Sequence, residues 1–490
     1  MNTQTMPLIP QHVVEDLCEW AIMHGVAIKN PNNTARHCPF SVAPMTIERD
    51  VYQHLLTVTP LISKLVSAVS EDHDYLQASL RKMADADPFF DRLMELHHQA
   101  HCAGGEKPAR EPLLLMRTDY MDDRRDGAKV IEFNGIAAGM GPFGQRAAEL
   151  HNYVREQWPS VYNQWVEDTT AQPAANKGLE QLALGIATAA RKIKADFNED
   201  GQPLFVMVVQ KHEDNVYDQH LLEVELQRLG IKTVRRTFDQ LYAQLSSGED
   251  QRLMLQELGG VDVVYLRAGY QLADYCAPEL DGEGDAASAN CCRTLSLTRL
   301  FIEQHRVAVN ATLSQQLATS KSMQMILTLM PAEEYQRWGL TLEEAQLVKS
   351  VLAEMKPVNA QSITWFKNAA NINEWVLKNQ GEGGGHCIFA DDILPTLEAL
   401  PAKEYDAWAL MQRLYPHERD TATVAVRDAS TSQVDDLVSE IGLFTAHFNG
   451  EPVTDFDGYA GYLIRSKPAR ENEGGIHSGK GILDSLILID

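Results

Sequence analysis

Residues 204–210 read LFVMVVQ, followed by VYDQHLLEVELQRLG at 216–230, IKTVRRT at 231–237 and VDVVYLR at 261–267. The outer runs are short, apolar and rich in β-branched side chains, the composition of strands covered on both faces. Between them, 216–230 carries helical spacing and stops at Gly230, a common C-terminal signal. Strand, helix and strand in succession predict a parallel sheet. A further helix is expected before VDVVYLR, and the unit closes near RVAVNA at 306–311. The acidic DGEGDAASAN at 281–290 reads as a surface connection. The block amounts to about 110 residues, close to a common domain size.

Upstream, VYQHLLTVTPLISKLVSAVS (51–70) and FFDRLMELHHQAH (89–101) carry helical periodicity with Pro and Asp breaks, predicting an N-terminal helical layer. Within it His97, His98, His101 and Cys102 form HHxxHC, whose i, i+4 spacing sets His97 and His101 on one helix face, as a metal would need. No second cluster with ligand spacing lies nearby in sequence, so the expectation is a solvated, amphipathic helix end. Downstream, helices run to about 355, a short strand WVLKNQ leads into GEGGGHC, and strands follow at TVAVRD, FTAHFNG and GYAGYLIRSK.

At 490 residues the chain exceeds what one hydrophobic core usually supports, and two or three units are expected. No apolar run has the roughly 18 residues of a membrane span. The charge balance, 43 basic against 68 acidic side chains for a net −25, opposes non-specific attraction to nucleic acid or acidic lipid. Anionic ligands would need local clusters of cations and backbone N–H groups. Seven cysteines without a C-x-x-C pair do not make a disulfide framework, and adjacent Cys291 and Cys292 read as structural. The N-terminal segment lacks a basic region followed by an apolar stretch, so the expected compartment is the cytosol.

Four segments carry chemistry. In WVLKNQGEGGGHC (375–387) a strand delivers Lys378 and Glu382, and Gly383, Gly384 and Gly385 let backbone N–H groups approach a polyphosphate, with the carboxylate suited to magnesium. Alternation in KVIEFN (129–134) points Glu132 and Asn134 to one face as two oxygen ligands, and Ile131 and Phe133 to the core. VVYLRAGY (263–270) ends a predicted parallel strand at Arg267 and Tyr270, where open α/β sheets bind ligands. GYLIRSKPARENEGGIHSG (461–479) sets two cations, Arg465 and Lys467, on one face before a Gly-Gly loop, as an anionic reaction centre would require.

Taken in order, RTDYM, IEFN, DNVYDQ with VRRTF, RAGY, ATSK, the loop Leu377–Lys378 with Gln380 and EGGG, SEIGLF and LIRSK resemble eukaryotic-type glutathione synthetase, of the ATP-grasp superfamily. The resemblance implies an α/β fold: an ATP-grasp-like main body (1–200 and 311–490) with a helical N-terminal layer, a lid around 355–420, and an inserted parallel α/β substrate domain at 201–310. It implies magnesium on Glu132, Asn134 and Glu382. ATP would be held by Glu132, Lys321, Lys378, Gln380, Glu382, Gly383, Gly384, Gly385, Phe389, the segment Met411 to Leu414, Glu440, Lys467 and Glu473. γ-Glutamylcysteine would meet Arg117, Asp214, Asn215, Gln219, Arg267, Tyr270 and Arg465, with Ile476 and His477 closing over the substrates and Arg465 and Lys378 acting in catalysis.

The implied reaction phosphorylates the cysteinyl carboxylate and lets the amine of glycine displace phosphate, in a homodimeric enzyme. The alternatives are a ligase using another acceptor, such as β-alanine, serine or glutamate, and a non-catalytic paralogue that binds nucleotide or thiol peptide. Some positions depart from the family. Its serines after the magnesium strand are Ala137 and Gly139 here, its loop Pro and Arg are Asn379 and Gly381, its double Asn is His386 and Cys387, and two lid alanines are His477 and Ser478.

Overall fold

The computed structural model describes residues 8–104, 108–277, 280, 293–369, 372–381, 387–472, 474–476 and 479–490. The 204–210 block forms strand Leu204–Val208, helix Val216–Arg228 and strand Lys232–Arg236, and the sheet continues in parallel through Val263–Leu266 to Ala308–Asn310. Side chains of these strands divide between two cores. Phe205, Met207, Val263 and Tyr265 enter one, while Leu204, Val206, Val208, Val264 and Leu266 enter the other. Burial on both faces explains why the segment reads as a nearly unbroken apolar run. The expected connection at 281–290 lies outside the described residues.

The parallel strands do not form a separate sheet. They continue into a thirteen-stranded sheet, because Ala308 and Val309 pair in parallel with Glu111 and Pro112 at the start of the long strand Glu111–Asp123. Beyond that point the sheet is largely antiparallel. Glu111–Asp123 pairs with Leu437–Phe448, which pairs with Tyr459–Pro468, while Gly127–Asn134 folds back on the other side of Glu111–Asp123. Helices Gly141–Gln157 and Gly178–Asp196 cover one face through Phe143, Leu182 and Ile186 against Phe444 and Leu463. On the other, Leu55, Ile62 and Val66 of helix Arg49–Ser70 meet Leu114, Met116 and Ile441.

The helical layer also contains His73–Ala86 and Pro88–His101. Asp72 caps the first by accepting from the Tyr75 N–H, and Asp87 caps the second from Phe89 and Phe90, each such cap contributing about 1 kcal/mol. Pro60 lies inside Arg49–Ser70 without ending it. One expectation is corrected here. The HHxxHC segment is not a solvated helix end, because His97 is fully buried between helices, and the helix-face periodicity could not show the neighbour that covers it.

Residues 355–412 build a smaller antiparallel sheet in the order Met355–Pro357, Trp408–Gln412, Trp375–Asn379 and Cys387–Phe389. Ile363, Phe366, Ile393 and Leu397 from two short helices pack with Trp375, Leu377 and Leu410 as its own core. Among the described residues no helix is long and apolar enough to cross a membrane.

Candidate active site

A cavity of about 870 Å³ opens where the large sheet, the small sheet and the ends of the parallel strands face one another. Its floor is the strand pair Glu111–Asp123 and Gly127–Asn134, in register with Arg117 opposite Asn134 and Asp119 opposite Glu132. Arg117 donates through Nε and Nη2 to Asp119 Oδ1 and Oδ2 at 2.5 and 2.7 Å, the bidentate geometry a guanidinium favours. Arg465 reaches the same carboxylate at 3.2 Å and also pairs with Glu440, its neighbour across the Leu437–Phe448 and Tyr459–Pro468 strands. Asn134 Nδ2 donates to Asp119 Oδ2 at 3.0 Å, which leaves its amide oxygen available to a ligand. Fully buried Asp119 thus holds two arginines of like charge side by side.

Register shifts between Asp119 and Tyr120, so Ile131 is an extra residue opposite them, a β-bulge. The bulge corrects the expected alternation. Ile131 is half-buried and lines the cavity instead of entering the core, whereas Phe133 does enter it. The freed Ile131 carbonyl accepts from Lys378 Nζ at 3.0 Å, which ties the small sheet to the floor. Lys321, the first residue of helix Lys321–Leu329, donates to Gly381 O at 2.9 Å and lies 3.8 Å from Glu132 Oε2. Burial alone would raise the Glu132 carboxyl, but Lys321, Lys378, Arg117 and Arg465 outweigh it and hold the group well below the usual range. Glu132 is therefore an anion framed by cations.

Beyond the Val263–Leu266 strand, Arg267 Nη1 donates to Asp218 Oδ2 at 3.0 Å, and that oxygen also accepts from the Met140 N–H. Burial works against the charge on Arg267, but Tyr265 and Asp218 more than offset it, so its pKa rises. Gly139 is what gives the guanidinium room, since a Cβ there would lie 2.4 Å from Arg267 Nη2. Gly139→Leu is accordingly expected to displace Arg267 from Asp218 and to lower stability in denaturant unfolding by about 1–3 kcal/mol, the usual cost of overpacking a filled interior. Unaltered stability would mean the guanidinium moves at no cost.

The remaining expected residues divide in three. Asp214, Asn215, Tyr270, Phe389, Met411, Leu414, Glu440, Lys467 and Ile476 line the same cavity as Arg117, Glu132, Asn134, Arg267, Lys321, Lys378 and Arg465. Gln219 and Gln380 do not reach it. Each is wholly buried in the wall, Gln219 donating to Glu213 Oε2 at 2.8 Å and Gln380 accepting from the Ser322 N–H at 2.9 Å. Glu382, Gly383, Gly384, Gly385, Glu473 and His477 lie outside the described residues. Two residues escaped the sequence reading. Asp119 sits two places from Arg117 on the same strand face, an alternation that was readable, and Glu213, which lines the cavity and accepts from the Asn215 N–H at 2.9 Å, stands directly before the DNVYDQ run.

Comparison with known proteins fits this arrangement into a lineage. The model of the eukaryotic glutathione synthase ATP-binding domain matches residues 9–488. The chain belongs to the eukaryotic glutathione synthase family. It is 28% identical over 499 residues to a chloroplastic glutathione synthetase of Solanum lycopersicum, covering 98% of this chain and 84% of that protein. The human glutathione synthetase is 27% identical, with 98% and 96% covered. The apo structure of a glutathione synthetase-like effector from Globodera pallida aligns with a TM-score of 0.72 at 18% identity, over 100% of this chain and 99% of that one, and shares the fold. Family membership makes the chain an ATP-dependent ligase, and its architecture is mixed α/β.

Proposed function

We propose that this enzyme makes glutathione, joining glycine to γ-glutamylcysteine with ATP through an acyl phosphate and releasing ADP and phosphate. The observation that carries the reading is one cavity in which the Glu132 carboxylate stands between Lys321 and Lys378 while Arg117, Arg267 and Arg465 present guanidinium groups beside it. A carboxylate is a poor electrophile, so its oxygen first takes the γ-phosphoryl group of ATP, and the β–γ bond breaks to release ADP. The glycine amine then forms the C–N bond as phosphate leaves with the acyl oxygen. Lys378 and Arg465 meet the charge that develops on the phosphoryl and acyl oxygens, donors already in place before the reaction.

Glu132 and the Asn134 amide oxygen are hard oxygen donors on one strand face, a set that fits magnesium, with Glu382 as the third ligand of this reading. Magnesium, when bound, supplies Lewis-acid neutralisation of the phosphate oxygens. Asn215 lines the cavity and its Oδ1 is a buried acceptor without a hydrogen-bond partner among the described residues, and the α-ammonium group of the γ-glutamyl moiety is the donor we assign to this end. The separately cored 355–412 unit supports a lid around 355–420 over a main body of 1–200 and 311–490, with 201–310 as the substrate domain. Cys18, Cys38, Cys102 and Cys276 form no disulfide among the described residues, which favours the reducing cytoplasm, and the homodimer the family resemblance implies is checked by measuring mass in solution.

The reading is tested by ADP release with γ-glutamylcysteine and a panel of glycine, β-alanine, serine and glutamate. Turnover should require both substrates and be fastest with glycine. Absence of ADP release with every acceptor would reject ligation, and a preference for another acceptor would reject glutathione as the product. Arg267→Ala should raise KM for γ-glutamylcysteine by 10- to 100-fold, the loss of a charged hydrogen bond of about 1.5–3 kcal/mol, with little effect on KM for ATP. Equal losses for both substrates would mark the Arg267–Asp218 pair as structural only.

A further inference from the structure

Outside the cavity, helices His73–Ala86 and Pro88–His101 pack together and bring three histidines into one group. His73 opens the first helix, and His97 and His101 lie one turn apart on the second. Each offers a ring nitrogen, and the three nitrogens lie within 4.8 Å of one another. Ser314 Oγ stands 3.5 Å from His73 Nδ1 and 3.4 Å from His101 Nε2, so those two atoms face a common point. His97 is fully buried, and its Nε2 has no hydrogen-bond partner among the described residues. A buried imidazole nitrogen left unmatched costs its full desolvation, so packing alone does not account for this arrangement.

We propose that His73, His97 and His101 form a site for a divalent metal of the zinc class, with the Ser314 hydroxyl or a water in the fourth position. Imidazole nitrogen is a preferred ligand of such ions, and three histidines with one open position is a known tetrahedral set. The outer contacts suit it. Glu71 Oε2 lies 3.8 Å from His73 Nε2, the nitrogen turned away from Ser314, in the carboxylate–histidine arrangement that orients a ligand. The Gln77 amide lies 2.7 Å from His97 Nδ1, and coordination through Nε2 requires its oxygen to turn toward the Nδ1 proton. The nearby cation Arg110 is already matched by Glu71 at 3.0 and 3.1 Å and by Glu303 at 3.8 Å. Burial, then the neighbouring histidines, push His97 down to about 3 and His101 to about 2, so both rings are neutral at pH 7, the form a metal binds.

Tetrahedral ligation at 2.0–2.1 Å needs nitrogen separations of roughly 3.4 Å, so the group must contract by about an ångström. The His73 and His101 rings, stacked at 3.6 Å, open slightly as it does. Bound metal would join two helices of the outer layer to helix Leu313–Ala318, which leads into the helix bearing Lys321. Its effect is therefore on stability, with ligase turnover unchanged.

The test is titration of the whole, chelator-treated enzyme with Co2+ in saturating Mg2+, which occupies the carboxylate sites of the cavity. One equivalent should bind at micromolar Kd or tighter, give visible d–d bands of nitrogen ligation that Zn2+ abolishes, and raise Tm by several degrees. His73→Ala and His101→Ala should each weaken Co2+ binding at least a hundredfold while keeping ligase activity, and His98→Ala, at the exposed neighbouring position, should bind like the parent. A parent without d–d bands or a Tm rise would overturn the proposal. So would Co2+ affinity that survives unchanged in His73→Ala and His101→Ala.

Discussion

Glu132→Gln is expected to lower ligation about a thousandfold at saturating magnesium while the protein stays folded. The substitution keeps shape and removes the anion framed by Lys321 and Lys378. A loss of about 4 kcal/mol of transition-state stabilisation corresponds to that factor. ADP release reads it directly, and parent-like turnover in a folded variant would remove Glu132 from the reaction. Stability gives a second readout. Because the folded-state pKa of Glu132 is depressed, its contribution is present above the unfolded value and is lost as pH falls through the folded one. The parent should therefore be the more stable at neutral pH, and the gap to Glu132→Gln should close below the ordinary glutamate range. A gap independent of pH would mean that the carboxylate charge contributes nothing to folding.

Asp119→Asn should be the more damaging to the fold. The side chain is fully buried and joins Arg117, Arg465 and Asn134, so neutralising it leaves two guanidinium groups facing each other without their shared counter-charge. Breaking a buried pair of this kind costs about 3–5 kcal/mol. Denaturant unfolding should register a loss of that size, accompanied by a KM for γ-glutamylcysteine at least a hundredfold higher, because the orientation of both arginines is gone. Stability within about 0.5 kcal/mol of the parent would show that the arginines find other partners.

The parallel strands were readable because both faces are buried and their composition is uniformly apolar. The spaced motifs were readable because each couples a strand end or Gly-rich turn to a charged side chain. What escaped the sequence were features set by a neighbour rather than by the local pattern. The Ile131 bulge reverses one step of an otherwise sound alternation, and nothing in KVIEFN signals an extra residue. Gln219 and Gln380 belong to motifs in which Asp214, Asn215 and Lys378 line the cavity, yet wall contacts fix both in place. His73 is remote in sequence from His97 and His101, so helical spacing revealed two of three members of a cluster that the packing of two helices completes. The merging of the parallel and antiparallel strands into one sheet rests on two register pairs at Glu111 and Pro112, too few to leave a pattern.

The strand Glu111–Asp123 has a consequence for how the molecule is made. Asp119 lies opposite Gly442, and the start of the same strand lies opposite Ala308, so most of the chain separates this segment from its partners. On the ribosome the apolar run LLLM at 113–116 emerges well before the strand Leu437–Phe448 that pairs with it. Contacts this distant make folding slow, and unpaired apolar edges invite association in the interval. The nascent chain must therefore be shielded, by its own helical layer or by a chaperone, until the Leu437–Phe448 strand arrives to close the sheet.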